Sequence, residues 1–382
     1  METKPSSTFP VIRGLQARRE YYVAMWSLKM VKRLLTNEED IAPELRAQRT
    51  LNRARIPELK GYVLDNPDDY IFSALTVSID SSVHFEPLPD QSKLGILTVP
   101  LDCQFIVNDG QHRRAAIEEA LRERPELQHE TIAVVLFLDI GLERCQQMFA
   151  DLNRHAIRPS RSLGLLYDHR SEKAKLAKRV VLHSAFFRDA VDMDKSSLSK
   201  RSRKLFTLSA FYNACADLVD GHSTGDIDED ADFARSFWEA VATHFPSWQQ
   251  VKKGQTSAGE IREGYIHSHG IALQAIGKAG NALVRRYPND WSNRLGALEK
   301  IDWSRHNSKL WEGRAMTAGR VSKNTLNVGL VTHVLLNVLE LPLDEAQLQV
   351  EAAFNRRHVN NASNADKHNA AGSSRAIKRK AG

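Results

Sequence analysis

Short apolar runs occupy the first 150 residues, and apolar positions at helical spacing dominate the rest of the chain. Over residues 15–35, Tyr21, Tyr22, Met25, Trp26, Leu28, Val31, Leu34 and Leu35 fall at mixed intervals that fit a helix best. Residues 56–64 predict a second helix, ended by the turn signal Asn66-Pro67-Asp68-Asp69. The β-branched and aromatic run 70–79 predicts a strand. Residues 84–95, with Pro and Asp, read as loop, and 96–99 and 103–107 as short strands. A helix over 113–124, a buried strand over 131–138 and a helix over 142–153 complete an alternating α/β pattern.

Beyond Asn153 the pattern predicts helices at 163–167, 172–182, 206–219, 234–245, 271–287, 291–298 and 325–339. Residues 195–204 read as a connector and 222–232 as a Gly- and Asp-rich loop. The predicted organisation is a disordered N-terminus (1–10), an α/β domain (11–155), a mostly helical domain (156–354) and a disordered basic tail (355–382). The fold class is therefore α+β.

Composition narrows the partners. The 382 residues allow two or three domains, and 26% charged with 42% hydrophobic residues is ordinary for a soluble protein. No apolar run reaches the length of a membrane span, and residues 1–10 lack a secretory pattern, so a cytoplasmic protein is expected. Cys103, Cys145 and Cys215 show no CxxC spacing and read as reduced small hydrophobes. The formal net charge is +6, but residues 151–204 alone hold 14 Lys or Arg against 6 Asp or Glu. That local excess of +8 is the footprint expected of a polyanion partner, with a solvated helix face as the bland alternative.

The densest candidate chemistry is Asp109-Gly110-Gln111-His112-Arg113, between a predicted strand and a predicted helix. Two readings fit its spacing. Asp109 caps the helix while His112 and Arg113 are solvated. Alternatively, the helix N-terminus, His112 and Arg113 together face an anion. His112 suits acid–base work, Asp109 a cap or metal-bound carboxylate, and Gln111 the orientation of a water. Nearby acids are limited to Asp102, Asp109 and Glu118, a thin set for catalysis.

These residues resemble DndB, the family of regulators of DNA phosphorothioate modification systems. The pentapeptide matches its DGQHR signature. Residues 49–64 followed by 70–79 resemble its Arg-containing helix and first strand, and 149–154 with Pro159 and Ser160 its helix ending in an Asn. Residues 199–208 resemble its basic segment. The resemblance spans roughly residues 10–340. The pentapeptide core is also similar to the ParB and sulfiredoxin superfamily, where Gly-x-x-Arg at a strand-to-helix turn cradles a nucleotide phosphate; Gly110 to Arg113 has that spacing.

The resemblance implies a ParB/sulfiredoxin-like core and a DNA-binding transcriptional repressor of a phosphorothioate modification cluster. Gly110, His112, Arg113 and Asn153 would hold a phosphate, with Asn153 facing the turn. The rival is a nucleotide hydrolase, with His112, Asp109 and Gln111 as catalytic candidates and ATP or CTP with Mg²⁺ as candidate cofactor. Without the resemblance, Asn153 reads equally well as a helix C-cap. Expected partners are double-stranded DNA, a nucleotide, other modification proteins and a second copy of the chain.

Duplex DNA is assigned to Lys195, Lys200, Arg201, Arg203 and Lys204, interleaved with serines and free of acids. His222 and the pair His267 and His269 lack further ligands at zinc spacing, so no metal site is expected.

Overall fold

In the computed structural model the described residues are 5–35, 52–138, 147–148, 151–152 and 159–356. The chain divides into two compact units, Met1–Ile157 and Arg158–Gly382. The fold is α+β, with a mostly antiparallel sheet in the first unit and a helical array in the second.

The first unit is built on β1 (Ser6–Gln16), β2 (Arg19–Ser27), β3 (Leu75–Ile79), β4 (His84–Leu88), β5 (Gln91–Pro100), β6 (Phe105–Asp109) and β7 (Thr131–Leu138). Their order in the sheet is β4-β5-β1-β2-β7-β3-β6, and the pairing of β3 with β7 is its parallel one. Helices α1 (Leu28–Leu34), α2 (Ile56–Asp65) and α3 (Gln111–Glu123) contribute Val31, Val63, Ile117 and Ala120 to the core formed with Leu75, Val77, Val134 and Leu136. The opposite face of β2 and β7 carries Tyr21 stacked on Phe137, with ring centroids 5.6 Å apart.

Four expectations are corrected here. Residues 15–27 are not helical but form most of a β1–β2 hairpin, and helix begins only at Leu28. Tyr22, Ala24 and Trp26 are buried and Met25 is exposed, a period of two. Apolar residues on both faces hid that period. The hairpin turn is Ala17-Arg18, both at positive φ, without the Gly or Asn that would mark it in the sequence. Residues 6–10, expected to be disordered, pair with β5 from Ser6↔Pro100 onward. Residues 84–95 form the β4–β5 hairpin rather than a loop; Pro87 is tolerated because β4 is an edge strand. Hairpins dominate the sheet, and the strand predicted over 70–79 begins only at Leu75. Tyr70 and Phe72 lie before β3, and Phe72 packs against Tyr62 of α2 at 6.0 Å.

The second unit contains α4 (Arg161–Tyr167), α5 (Glu172–His183), α6 (Leu208–Val219), α7 (Ile227–Thr243), α8 (Pro246–Lys252), α9 (Ala258–Gly264), α10 (Gly270–Arg286) and α11 (Thr325–Val338), with shorter turns between them. Residues 345–356 are also helical. Phe187, Phe211, Trp238 and Trp248 are fully buried at its centre, and Phe187 and Phe211 lie 4.6 Å apart. Asp226 caps α7 and starts it at Ile227, within the stretch read as loop.

His267 sits inside this core. Its Nδ1 accepts the Trp248 indole N–H at 2.9 Å and its Nε2 lies 3.2 Å from Ser247 Oγ. Burial, with His269 adding to it, pushes its imidazolium down to about 3. Between its ordinary pKa and that value, the unfolded chain binds a proton that the folded chain refuses. Stability is therefore full above pH 6.5 and lost as the pH falls. From pH 6.5 to 5 the loss is roughly 2 kcal/mol. A His267→Gln variant is expected to lack that slope in urea unfolding followed by tryptophan fluorescence. Parallel losses in variant and wild type would contradict it.

Candidate functional site

The Asp109–Arg113 turn joins β6 to α3. Asp109 ends the strand, Gly110 is the N-cap in a left-handed conformation (φ 100), and Gln111, His112 and Arg113 form the first helical turn. The helix thus starts two residues before the predicted position. Asp109 does not cap it, and Gly110 offers no side-chain bond. Instead the Asp109 carboxylate accepts from Arg113 Nη2 at 2.5 Å.

Arg113 is directed inward. Nη1 donates to the carbonyls of Ser73 (2.5 Å) and Ala74 (2.7 Å) and lies 2.5 Å from Ser73 Oγ. Its side chain is only 16% exposed. The guanidinium expected to face a phosphate therefore ties the start of α3 to the segment entering β3. Gln111 is buried and donates to the Val107 carbonyl at 3.2 Å. His112 Nε2 accepts from the Asn52 backbone amide at 3.1 Å. Of the acids weighed as metal ligands, Asp109 is engaged by Arg113, and Glu118 by Arg122 (2.9 Å) and Arg114 (3.8 Å). Asn153 lies outside the described residues.

The sequence reading passed over Asn108. It is 1% exposed, donates to Ser78 Oγ at 2.6 Å and lies 3.2 Å from Met148 Sδ. Its Oδ1 is buried with no hydrogen-bond partner among the described residues. A polar residue closing the apolar run Phe105-Ile106-Val107 was the available signal.

The basic segment is a shaped loop rather than a loose connector. Val191 and Asp192 pair in parallel with Phe206 and Thr207, closing its two ends. The Asp192 carboxylate accepts from the amides of Asp194 (3.0 Å) and Lys195 (2.7 Å). Arg262 of α9 donates to the carbonyls of Ser199 (2.6 Å), Ser202 and Lys204. At Gly259 any Cβ would overlap the Lys200 carbonyl, so that glycine allows the loop to seat on α9.

The five predicted cations divide. Lys195, Arg201 and Arg203 are exposed and make no side-chain hydrogen bond or ion pair among the described residues. Lys200 is exposed and ion-paired with Glu263. Lys204 is half-buried and its ammonium donates to the Asp189 carbonyl at 2.8 Å, so it shapes the loop rather than its surface. One loop thus presents four cations, with no acid between residues 195 and 204.

Other candidates are bonded internally. His222 Nε2 meets the Leu218 carbonyl at 2.9 Å and His269 Nε2 the Arg262 carbonyl at 2.8 Å. No group of three His, Cys, Asp or Glu among the described residues could hold a metal ion. Burial pushes the Cys103 thiol up to about 11 and the Cys215 thiol up as well, opposite to the shift that activates a nucleophile. Among the described residues, no helix is long and apolar enough to cross a membrane.

Neither curated proteins nor solved structures gave a match. A family model described as "DndB: DNA-sulfur modification-associated" matches residues 9–342, a span that takes in both the Asp109–Arg113 turn and the basic loop. The chain therefore belongs to the DndB family of DNA-sulfur-modification-associated proteins.

Proposed function

We propose that this protein is a DNA-binding transcriptional regulator of the modification cluster in which its family works, acting on duplex DNA through the loop 195–204. The observation that carries this reading is the loop itself. Four cations stand exposed on a backbone fixed at both ends and in the middle. A preformed cationic loop spends little conformational entropy on binding, and lysines and arginines among serines suit backbone phosphates. Such contacts position the protein but do not read sequence; promoter selection must come from other surfaces.

The Asp109–Arg113 turn has a different place in this reading. The first-turn amides of α3 and His112 are the groups that would meet a phosphate there, and Arg113 acts from behind as a positioning residue. A hydrolase gains no support from this geometry, because Arg113 and Asp109 are already committed to each other.

The test is fluorescence anisotropy of the full chain with a duplex from the promoter region of its own modification cluster, against a scrambled duplex of equal length. The promoter duplex is expected to bind at least about 10³-fold more tightly, the low end of specific-to-non-specific ratios. Equal affinities would remove the regulator reading and leave only non-specific DNA binding.

A further inference from the structure

The inner side of the same loop lines a cleft of about 600 Å³ within the second unit. That volume falls in the range of small-molecule sites. Its described lining holds five cationic side chains, Arg161, Lys200, Arg262, Arg305 and Lys323, and a single carboxylate, Glu263. Lys195, Arg201, Arg203 and Lys204 do not line it. The loop therefore has two faces, one toward the cleft and one away from it.

The cations are not balanced from within. Glu263 is taken by Lys200, and Arg262 and Arg305 are spent on backbone carbonyls. Arg161 reaches the Asn213 amide oxygen at 3.3 Å and lies over the Tyr212 ring but meets no carboxylate, and Lys323 has no hydrogen bond or ion pair among the described residues. Burial pushes the Lys323 ammonium below its ordinary value and Arg161 pushes it the same way, against a pull from Asp217. Asp217 itself is engaged by Gln274 at 2.8 Å and Lys278 at 3.6 Å. Two like charges facing one cleft without a counter-charge of their own are the electrostatic sign of an anion site.

Neutral donors and one helix end add to the same wall. His269 and Gly270 line the cleft at the start of α10, a 17-residue helix that has no side-chain cap bond and no acid in its first turn. Its positive end favours an anion at that point. Ser196, Ser197 and Ser209 offer hydroxyls, while Leu198 and Ala210 supply apolar wall. A duplex backbone is convex and would meet only the rim of such a cleft.

We propose that this cleft binds the phosphate groups of a small soluble polyphosphate ligand, held by Lys323, Arg161 and the inner residues of loop 195–204. The ligand and duplex DNA would then use opposite faces of one loop, with Lys200 at the edge common to both. That link alone rests on the DNA reading; the anion site does not.

The experiment is calorimetric titration of the full chain with inorganic tripolyphosphate, with duplex binding measured in parallel. The variant Arg161→Gln/Lys323→Gln changes two side chains on the cleft wall, outside the hydrophobic core. It is expected to weaken tripolyphosphate at least tenfold and to leave ligand-free duplex affinity within threefold. Lys323→Arg should keep tripolyphosphate binding within threefold, and so should Arg113→Gln, which tests the Asp109–Arg113 turn as the anion's location. The proposal is overturned by absent millimolar binding to the wild type, by binding indifferent to the double variant, or by loss in Arg113→Gln instead. An equal fall in duplex affinity in the double variant would assign the cleft to DNA and also overturn it. Loss of duplex binding in the wild type, with tripolyphosphate binding intact, would reject the regulator reading alone.

Discussion

With Lys195, Lys200, Arg201 and Arg203 all changed to Ala, the full chain is expected to bind a duplex about 10³-fold more weakly at about 0.1 M salt. Each phosphate neutralised by a cation releases counterions, with a slope of roughly 0.9 in log affinity against log salt. Between 1 M and 0.1 M salt that amounts to about eightfold per contact. Four contacts give a few thousandfold, discounted because Lys200 must first leave Glu263. Lys204 is kept because its ammonium holds the Asp189 carbonyl and its loss would deform the loop. The substituted side chains are exposed, so the fold should survive. A fall of less than about tenfold, with the variant folded, would take DNA off this loop.

Gly110→Val is expected to destabilise the first unit by about 3–5 kcal/mol. Two causes add. A β-branched residue at φ 100 is strained by about 1–3 kcal/mol. A Cβ there would also overlap the side chain of Leu75, which is fully buried, and come 3.3 Å from the Arg113 guanidinium. Such overpacking costs about 1–3 kcal/mol. The displaced guanidinium would further loosen its bonds to Asp109, Ser73 and Ala74. At about 1.4 kcal/mol per tenfold, amide exchange in peptides covering β6 and α3 should accelerate by at least about 10²-fold. Gly110→Asn, which tolerates the left-handed backbone but not the lost space, should fall between variant and wild type. Exchange rates in Gly110→Val within tenfold of wild type would mean that the turn carries no such constraint.

Some of this molecule is legible in its sequence. The strand 131–138 emerges with its predicted bounds because TIAVVLFL is an unbroken apolar run, and the helices of the second unit appear because their apolar faces keep period. The N-terminal hairpin is not legible. Both faces of β2 are apolar, and its turn lacks Gly and Asn. At the turn, Gly110 and the strand-to-helix change could be read, but the inward commitment of Arg113 could not. Its acceptors Ser73 and Ala74 lie about 40 residues upstream and announce nothing. The charge of loop 195–204 is plain in the sequence. Its shape depends on Gly259 and Arg262, and the cleft behind it on Arg161 and Lys323, which only tertiary folding brings together.

Whether duplex DNA meets this loop is read from the slope of log affinity against log salt for the wild type and the four-alanine variant. The wild-type slope is expected to be steeper than that of the variant by about three to four, one for each phosphate contact removed. Slopes that agree within about one would contradict it.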